Sequence, residues 1–134
     1  MRLFLIALAL TGCAPLPSQT ACLVPSQKPM VVAELFFGRS IPGRPPLTDA
    51  EWADFAAQVI TPNFPDGFTV SDGEGQWRNP KTGVIGREQS KILLIAADPS
   101  ADLAPRLTAV IDSYRTRFRQ LSVGLLTSPV CGSF

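Results

Sequence analysis

Histidine is absent from these 134 residues, and its absence removes much of the chemistry open to a small domain. Neither a Ser-His-Asp nor a Cys-His arrangement can be assembled within one chain, and no HExxH site can form. Cysteine is scarce, three residues with no CxxC pair, so no metal is expected. GxSxG, a P-loop and a complete GxGxxG are also missing, with Gly73 and Gly75 alone a fragment of the last. No cofactor is therefore expected. Lys and Arg nowhere gather beyond the spaced run Arg115, Arg117, Arg119, and the formal net charge is +1. A nucleic-acid backbone demands a basic face, so no nucleic acid is expected as a partner. A bilayer span takes roughly 20 apolar residues, whereas Leu3 to Leu10 supplies eight.

What is present starts at the N-terminus. Met1-Arg2, the apolar run, and the small-residue step Thr11-Gly12 before Cys13 follow the order of a targeting signal. Leu10-Thr11-Gly12-Cys13 resembles the lipobox of bacterial lipoproteins, cut before a cysteine whose sulfur carries a diacylglyceryl group. The resemblance implies that residues 1–12 are a signal peptide and that acylated Cys13 contacts membrane lipid as the mature first residue. Two or more acyl chains anchor stably where one does not. The signal is shorter than the roughly 15–30 residues usual for such segments. Ala14 after the cysteine resembles the pattern routed to the outer membrane, facing the periplasm, in a Gram-negative cell. The other reading is an ordinary secretory segment or a core strand, with Cys13 incidental. Loss of Arg2 with the signal leaves a formally neutral chain.

Residues 13–30 read as a tether, with prolines at 15, 17, 25 and 29. At about 3.1 Å per residue such a segment could hold a domain roughly 50 Å from the lipid. Acylation of Cys13 leaves an even pair, Cys22 and Cys131, in an oxidising compartment, so a Cys22–Cys131 disulfide is expected over two free thiols.

The body, 31–134, reads as six elements. Val31–Gly38 is short, apolar and rich in β-branched and aromatic residues, a strand. Thr48-Asp49-Ala50-Glu51 is a capping box, and Leu47 with Trp52 has the spacing of a hydrophobic staple. Trp52, Phe55, Ala56 and Val59 line one face of the helix that follows, and Pro62 is expected to stop it. Phe68, Val70 and Asp72 alternate with Thr69 and Ser71 in a second strand, with a bulge or bend expected at Gly73 and Gly75 before Gln76-Trp77-Arg78. NPKTG at 79–83 turns the chain into a third strand ending in the run Ile92–Ala97. Leu103, Leu107, Val110, Ile111, Tyr114, Phe118 and Leu121 mark a second helix from near Asp102, and Leu121 to Val130 a last strand.

The order β-α-β-β-α-β predicts an α+β, ferredoxin-like domain: a four-stranded antiparallel sheet with two helices on one face. There the first and last strands are neighbours, which brings Cys22 and Cys131 to one end. The stretches AELFFGRSIPG (33–43), TDAEWADF (48–55), TPNFPDGFTVSDGEGQWRN (61–79), REQSKILLI (87–95) and TSPVCGSF (127–134) resemble the bacterial domain of unknown function 3574 family. That resemblance covers the chain after the tether. It implies a predicted lipoprotein and carries over no catalytic residue.

The candidate site is the uncovered sheet face. Ala33, Leu35 and Phe37 suit the helices, leaving Val32, Glu34 and Phe36 opposite. Arg39, Gln76, Trp77, Arg78, Glu88 and Lys91 are the side chains that could reach this face or its rim. Either Glu34 pairs with one of the Arg or Lys side chains as a sheet salt bridge and Trp77 fills a bulge, or Glu34 and these residues form a shallow pocket. Asp66, Asp72 and Glu74 lie close in sequence but lack the calcium-loop pattern. The apolar open face should be covered, by a homodimer or by a partner. Two functions remain: a membrane-anchored envelope domain binding a ligand or partner, or a small cofactor-independent enzyme. In the second, Glu34 is the base and Arg39 or Arg78 an anion clamp.

Overall fold

The computed structural model describes residues 22–134. Cys13, the signal segment and the first half of the tether, through residue 21, lie outside the described residues. Strand β1 (Lys28–Gly38) is followed by helix α1 (Asp49–Phe55), which continues through a π-helical turn (Ala56–Ile60) into a last helical turn (Thr61–Asn63). Strands β2 (Thr69–Arg78) and β3 (Ile85–Ala97) form a hairpin, and helix α2 (Leu103–Phe118) leads to strand β4 (Gly124–Gly132). The four strands make one antiparallel sheet in the order β2-β3-β1-β4. This is the expected α+β class, with β1 and β4 adjacent.

Period-two alternation on β1 puts Ala33, Leu35 and Phe37 into the core and leaves Val32, Glu34 and Phe36 half-buried on the other face. Both helices cover the first face, where Leu93 and Ile95 of β3 meet Trp52, Phe55 and Ile60 after β1, and Leu107, Val110, Tyr114 and Phe118 of α2. Phe37 and Tyr114 pack edge-to-face with centroids 4.7 Å apart, and Phe55 lies 5.1 Å from Tyr114. Each buried ring of this kind contributes about 1.5–3 kcal/mol by area alone.

The capping box forms as expected: Glu51 N–H donates to Thr48 Oγ1 at 3.2 Å, and Thr48 N–H to Glu51 Oε2 at 2.9 Å. The staple residues Leu47 and Trp52 are both buried. Pro62 lies inside the final turn instead of ending the helix before it. The π-turn explains this, because Thr61 N–H bonds back to Ala56 O. The ladder is already widened where proline brings no donor and would crowd a preceding carbonyl.

Two further expectations are corrected. The DGEG stretch carries no bulge, since Thr69 to Arg78 pair one-for-one with Leu94 to Ile85. Gly73 is instead roofed by its neighbours: a Cβ there would stand 2.8 Å from Ile92 Cδ1. Leu121 belongs neither to the helical stripe nor to the last strand and is exposed. Arg119 takes the left-handed conformation at φ 52° and closes α2 at Phe118, so the apolar spacing stops before Leu121.

The Cys22–Cys131 disulfide is present, spanning 109 residues of sequence. Next to it β1 begins at Lys28, three residues before the expected start, because β4 extends to pair Lys28 with Gly132.

Candidate functional site

Register divides the predicted site residues between the two sheet faces. Even-numbered β1 and β3 residues share the open face, so Glu34 stands between Leu94 of β3 and Leu126 of β4. Its neighbours Leu94 and Leu126 are 43% and 60% exposed. Glu34 makes no hydrogen bond or ion pair with the described residues, and it lines neither of the two clefts described below. Gln76, Arg78 and Lys91 fall on the helix side, since Gln76 pairs with Arg87, Arg78 with Ile85 and Lys91 with both Asp72 and Phe37.

On the helix side an ion network closes the sheet rim. Lys91, 7% exposed, holds Asp72 of β2 at 2.6 Å and Asp49, the first residue of α1, at 2.9 Å. Arg39 reaches the same Asp49 at 3.2 Å and donates from Nε to Leu47 O at 2.7 Å. Hydrogen bonding to Asp72 raises the Lys91 ammonium above the ordinary lysine value, with Asp49 adding and burial opposing. Lys91 in turn holds the Asp49 carboxyl below its usual range, helped by Arg39. The salt bridge expected between Glu34 and an arginine or lysine does not form among the described residues; Arg39 and Lys91 pair instead with Asp49 and Asp72. A small cleft of about 410 Å³ borders it, lined by Arg39, Asp72 and Glu74 among others. Asp66 takes no part, and no group of metal-ligating side chains forms among the described residues.

A larger cleft, about 620 Å³, opens at the other end of the uncovered face. Gln76, Trp77 and Glu88 line it, with Phe36, the 40–42 loop and the α2–β4 connection. Its floor is built from glycines. A Cβ on Gly86 would stand 3.2 Å from the Trp77 indole nitrogen, one on Gly124 3.2 Å from the Phe36 ring, and one on Gly38 2.6 Å from Glu88 Oε1. Three flat groups therefore lie down on the sheet, each over a glycine of an adjacent strand. Gly75 has nothing above it but the Glu88 backbone carbonyl at 3.9 Å, which leaves a depression.

Three contacts fix the walls. Ser40 N–H donates to Glu88 Oε2 at 3.0 Å, Gln120 Nε2 to Ser40 O at 2.6 Å, and Arg119 to Pro42 O at 2.7 Å. Arg119 is the one non-glycine residue with positive φ among the described residues, so the strained turn sits where the connection clasps the loop. Beneath the floor Tyr114 donates to Gly38 O at 2.9 Å. Burial pushes its phenol well above the ordinary tyrosine value; the Glu88 charge adds and Arg39 opposes.

The sequence reading put Phe36 on the open face but missed Arg119 and Gln120 as site residues. The only signal available was the recurrence of glycine at one parity on adjacent strands.

Fold and cleft together define a class: a ferredoxin-like α+β domain with a glycine-floored cleft on its helix-free face. The chain belongs to the DUF3574 family of proteins of unknown function, whose profile matches residues 32–134. No curated protein matches the sequence. Among solved structures the fold is similar to that of a phage SAM lyase in complex with S-methyl-5'-thioadenosine. The TM-score is 0.62 at 16% identity, covering 90% of this chain and 97% of that one. The same lyase in its apo state gives 0.59 at 19%, covering 87% and 97%. CutA from Synechococcus elongatus PCC7942 gives 0.50 at 12%, covering 81% of each.

Proposed function

We propose that the chain is a lipid-anchored domain of the bacterial cell envelope that binds a small molecule in the cleft beside Trp77 and Glu88. The observation that carries the binding half is the glycine floor. Three glycines lay two aromatic rings and a carboxylate flat, and Gly75 leaves room above them. A volume near 620 Å³ lies within the roughly 300–1,000 Å³ of small-molecule sites. The anchoring half rests on the lipobox-like stretch ending in Cys13. A disulfide joining the other two cysteines supports an oxidising compartment. With Ala14 following, the outer membrane facing the periplasm is the address in a Gram-negative cell.

The fold shared with a phage SAM lyase supports a second reading, a small cofactor-independent enzyme. Because Glu34 lines neither cleft, the carboxylate offered to a substrate in that case is Glu88 and not Glu34. Leu94 and Leu126, exposed on the same face, make it the surface for a second copy of the chain, and sedimentation of the full chain in detergent reports whether it self-associates.

Two measurements test the proposal. Metabolic labelling with a fatty-acid probe should mark the wild type and not Cys13→Ser; equal labelling refutes the anchor. A thermal-shift screen of a small-metabolite panel should give ligands whose effect disappears in Gly75→Leu, a variant that fills the depression. A panel with no such ligand refutes the cleft.

A further inference from the structure

We infer that the cleft is built for a neutral ligand carrying a vicinal diol beside a flat face, the shared chemistry of ribonucleosides and of cyclic sugars. The inference rests on the cleft being a binding site. Its first support is Glu88. One carboxylate oxygen, Oε2, is taken by Ser40 N–H, while Oε1 accepts no hydrogen bond from the described residues. That oxygen is held over Gly38, at the edge of the cleft. A carboxylate fixed at one oxygen and open at the other is a pure acceptor. Two adjacent hydroxyls satisfy such a group, donating charge-assisted hydrogen bonds to it.

The second support is Trp77. Its indole lies across Gly86 and is 39% exposed, so one face rests on the sheet while the cleft has access to the other. Aromatic platforms of this kind take up flat rings, and stacking is worth about 1–3 kcal/mol per nucleobase. Gly75 lies two residues before Trp77 on the same face of β2 and opposite Glu88. The depression above it therefore sits between platform and acceptor.

The third support is charge. The charged residues lining the cleft are Arg87, Glu88 and Arg119. Arg87 donates to Gln76 Oε1 at 3.0 Å, and Arg119 is occupied with Pro42 O. The Arg119 guanidinium disfavours an organic cation, which the Trp77–Glu88 pair alone would suit, while Arg87 turns its guanidinium to Gln76 on the helix side. Glu88 disfavours a phosphate or carboxylate in contact with it. A neutral ligand meets neither penalty.

The test is a titration of the full-length chain in detergent, followed by tryptophan fluorescence and calorimetry. The probes are adenosine, S-methyl-5'-thioadenosine, 2',3'-dideoxyadenosine, AMP and methyl β-ribofuranoside. At least one diol compound should bind. Adenosine or its thioether alone identifies a nucleoside as the source, and the furanoside binding equally well identifies a sugar. Loss of the diol should weaken binding roughly tenfold or more, as should Glu88→Gln and Trp77→Ala, and AMP should bind more weakly than adenosine. Gly75→Leu should abolish binding with the melting temperature unchanged. Dideoxyadenosine binding as well as adenosine, or AMP binding more tightly, overturns the inference. So does a failure of every diol probe while other panel compounds still bind in a Gly75-dependent way, which leaves the cleft itself standing. Absence of any Gly75-dependent ligand overturns cleft and inference together.

Discussion

Replacing Gly38 by alanine would show whether the Glu88 carboxylate is held where the structure puts it. Gly38 has no need of a positive φ, so alanine meets no backbone strain there. The obstacle is steric: the three atoms nearest the new Cβ, at 2.6 to 2.8 Å, all belong to the Glu88 carboxylate. Glu88 must swing away and give up the Ser40 N–H, an exposed charge-assisted bond near the lower end of the about 1.5–3 kcal/mol such bonds contribute. Against this, alanine restricts the unfolded chain and returns about 0.4–1 kcal/mol. The net cost should be about 0.5–1 kcal/mol, a fall in melting temperature of roughly 2–6 °C. In a Glu88→Ala background the obstacle is gone, and the same Gly38→Ala change should stabilise by about 0.4–1 kcal/mol. A double-mutant cycle followed by urea unfolding measures the difference, a coupling near 1.5 kcal/mol. If Gly38→Ala costs the same with and without Glu88, the carboxylate does not rest on Gly38 and the account of the cleft floor is wrong.

Tyr114 is the single tyrosine in the chain, so absorbance near 295 nm reports its ionisation alone. Its raised folded value makes a contribution to stability that is complete below about pH 10 and lost as pH rises toward that value. Phenolate should therefore appear together with unfolding, and a separate earlier titration in the native protein would contradict the burial. Lys91, also raised, adds stability that is complete below about pH 10.5 and fades above it. Lys91→Met should flatten the alkaline fall in urea midpoint between pH 9 and 12, and an unchanged slope would remove the ion network from the account. Reducing the Cys22–Cys131 disulfide, or replacing both cysteines by serine, should cost about 2–5 kcal/mol, read as a lower urea midpoint. The paired change leaves Cys13 and hence fatty-acid labelling untouched, and loss of labelling in that variant would contradict the assignment of acylation to Cys13.

Much of the fold was legible because its signals are local. Capping box, staple, helical spacing and strand alternation each depend on residues within one or two turns of each other, and the β1 pattern alone assigned its two faces correctly. The errors arose where an unforeseen hydrogen-bond pattern or a distant contact overrules a local preference. Pro62 is carried inside a helix by a π-turn. Gly73 lies flat under Ile92, and Arg119 ends α2 one turn short of Leu121 while reaching back to Pro42.

The candidate site was only half legible, for the same reason. Trp77, Glu88 and the cleft-lining Gln76 were named from sequence, but so were Arg78, Lys91 and Arg39, which lie on the other face or rim. Amino-acid order by itself determined the βαββαβ succession, the apolar layer of β1, the even cysteine pair once Cys13 is set aside, and the exclusion of histidine chemistry. Tertiary structure alone decided which side chains meet: Glu88 with Gly38 and Ser40, Trp77 over Gly86, Gln120 with the 40–42 loop. Those meetings depend on strand register and on how the α2–β4 connection docks, and both are set by packing between segments up to 80 residues apart, beyond the reach of any periodicity within a single element.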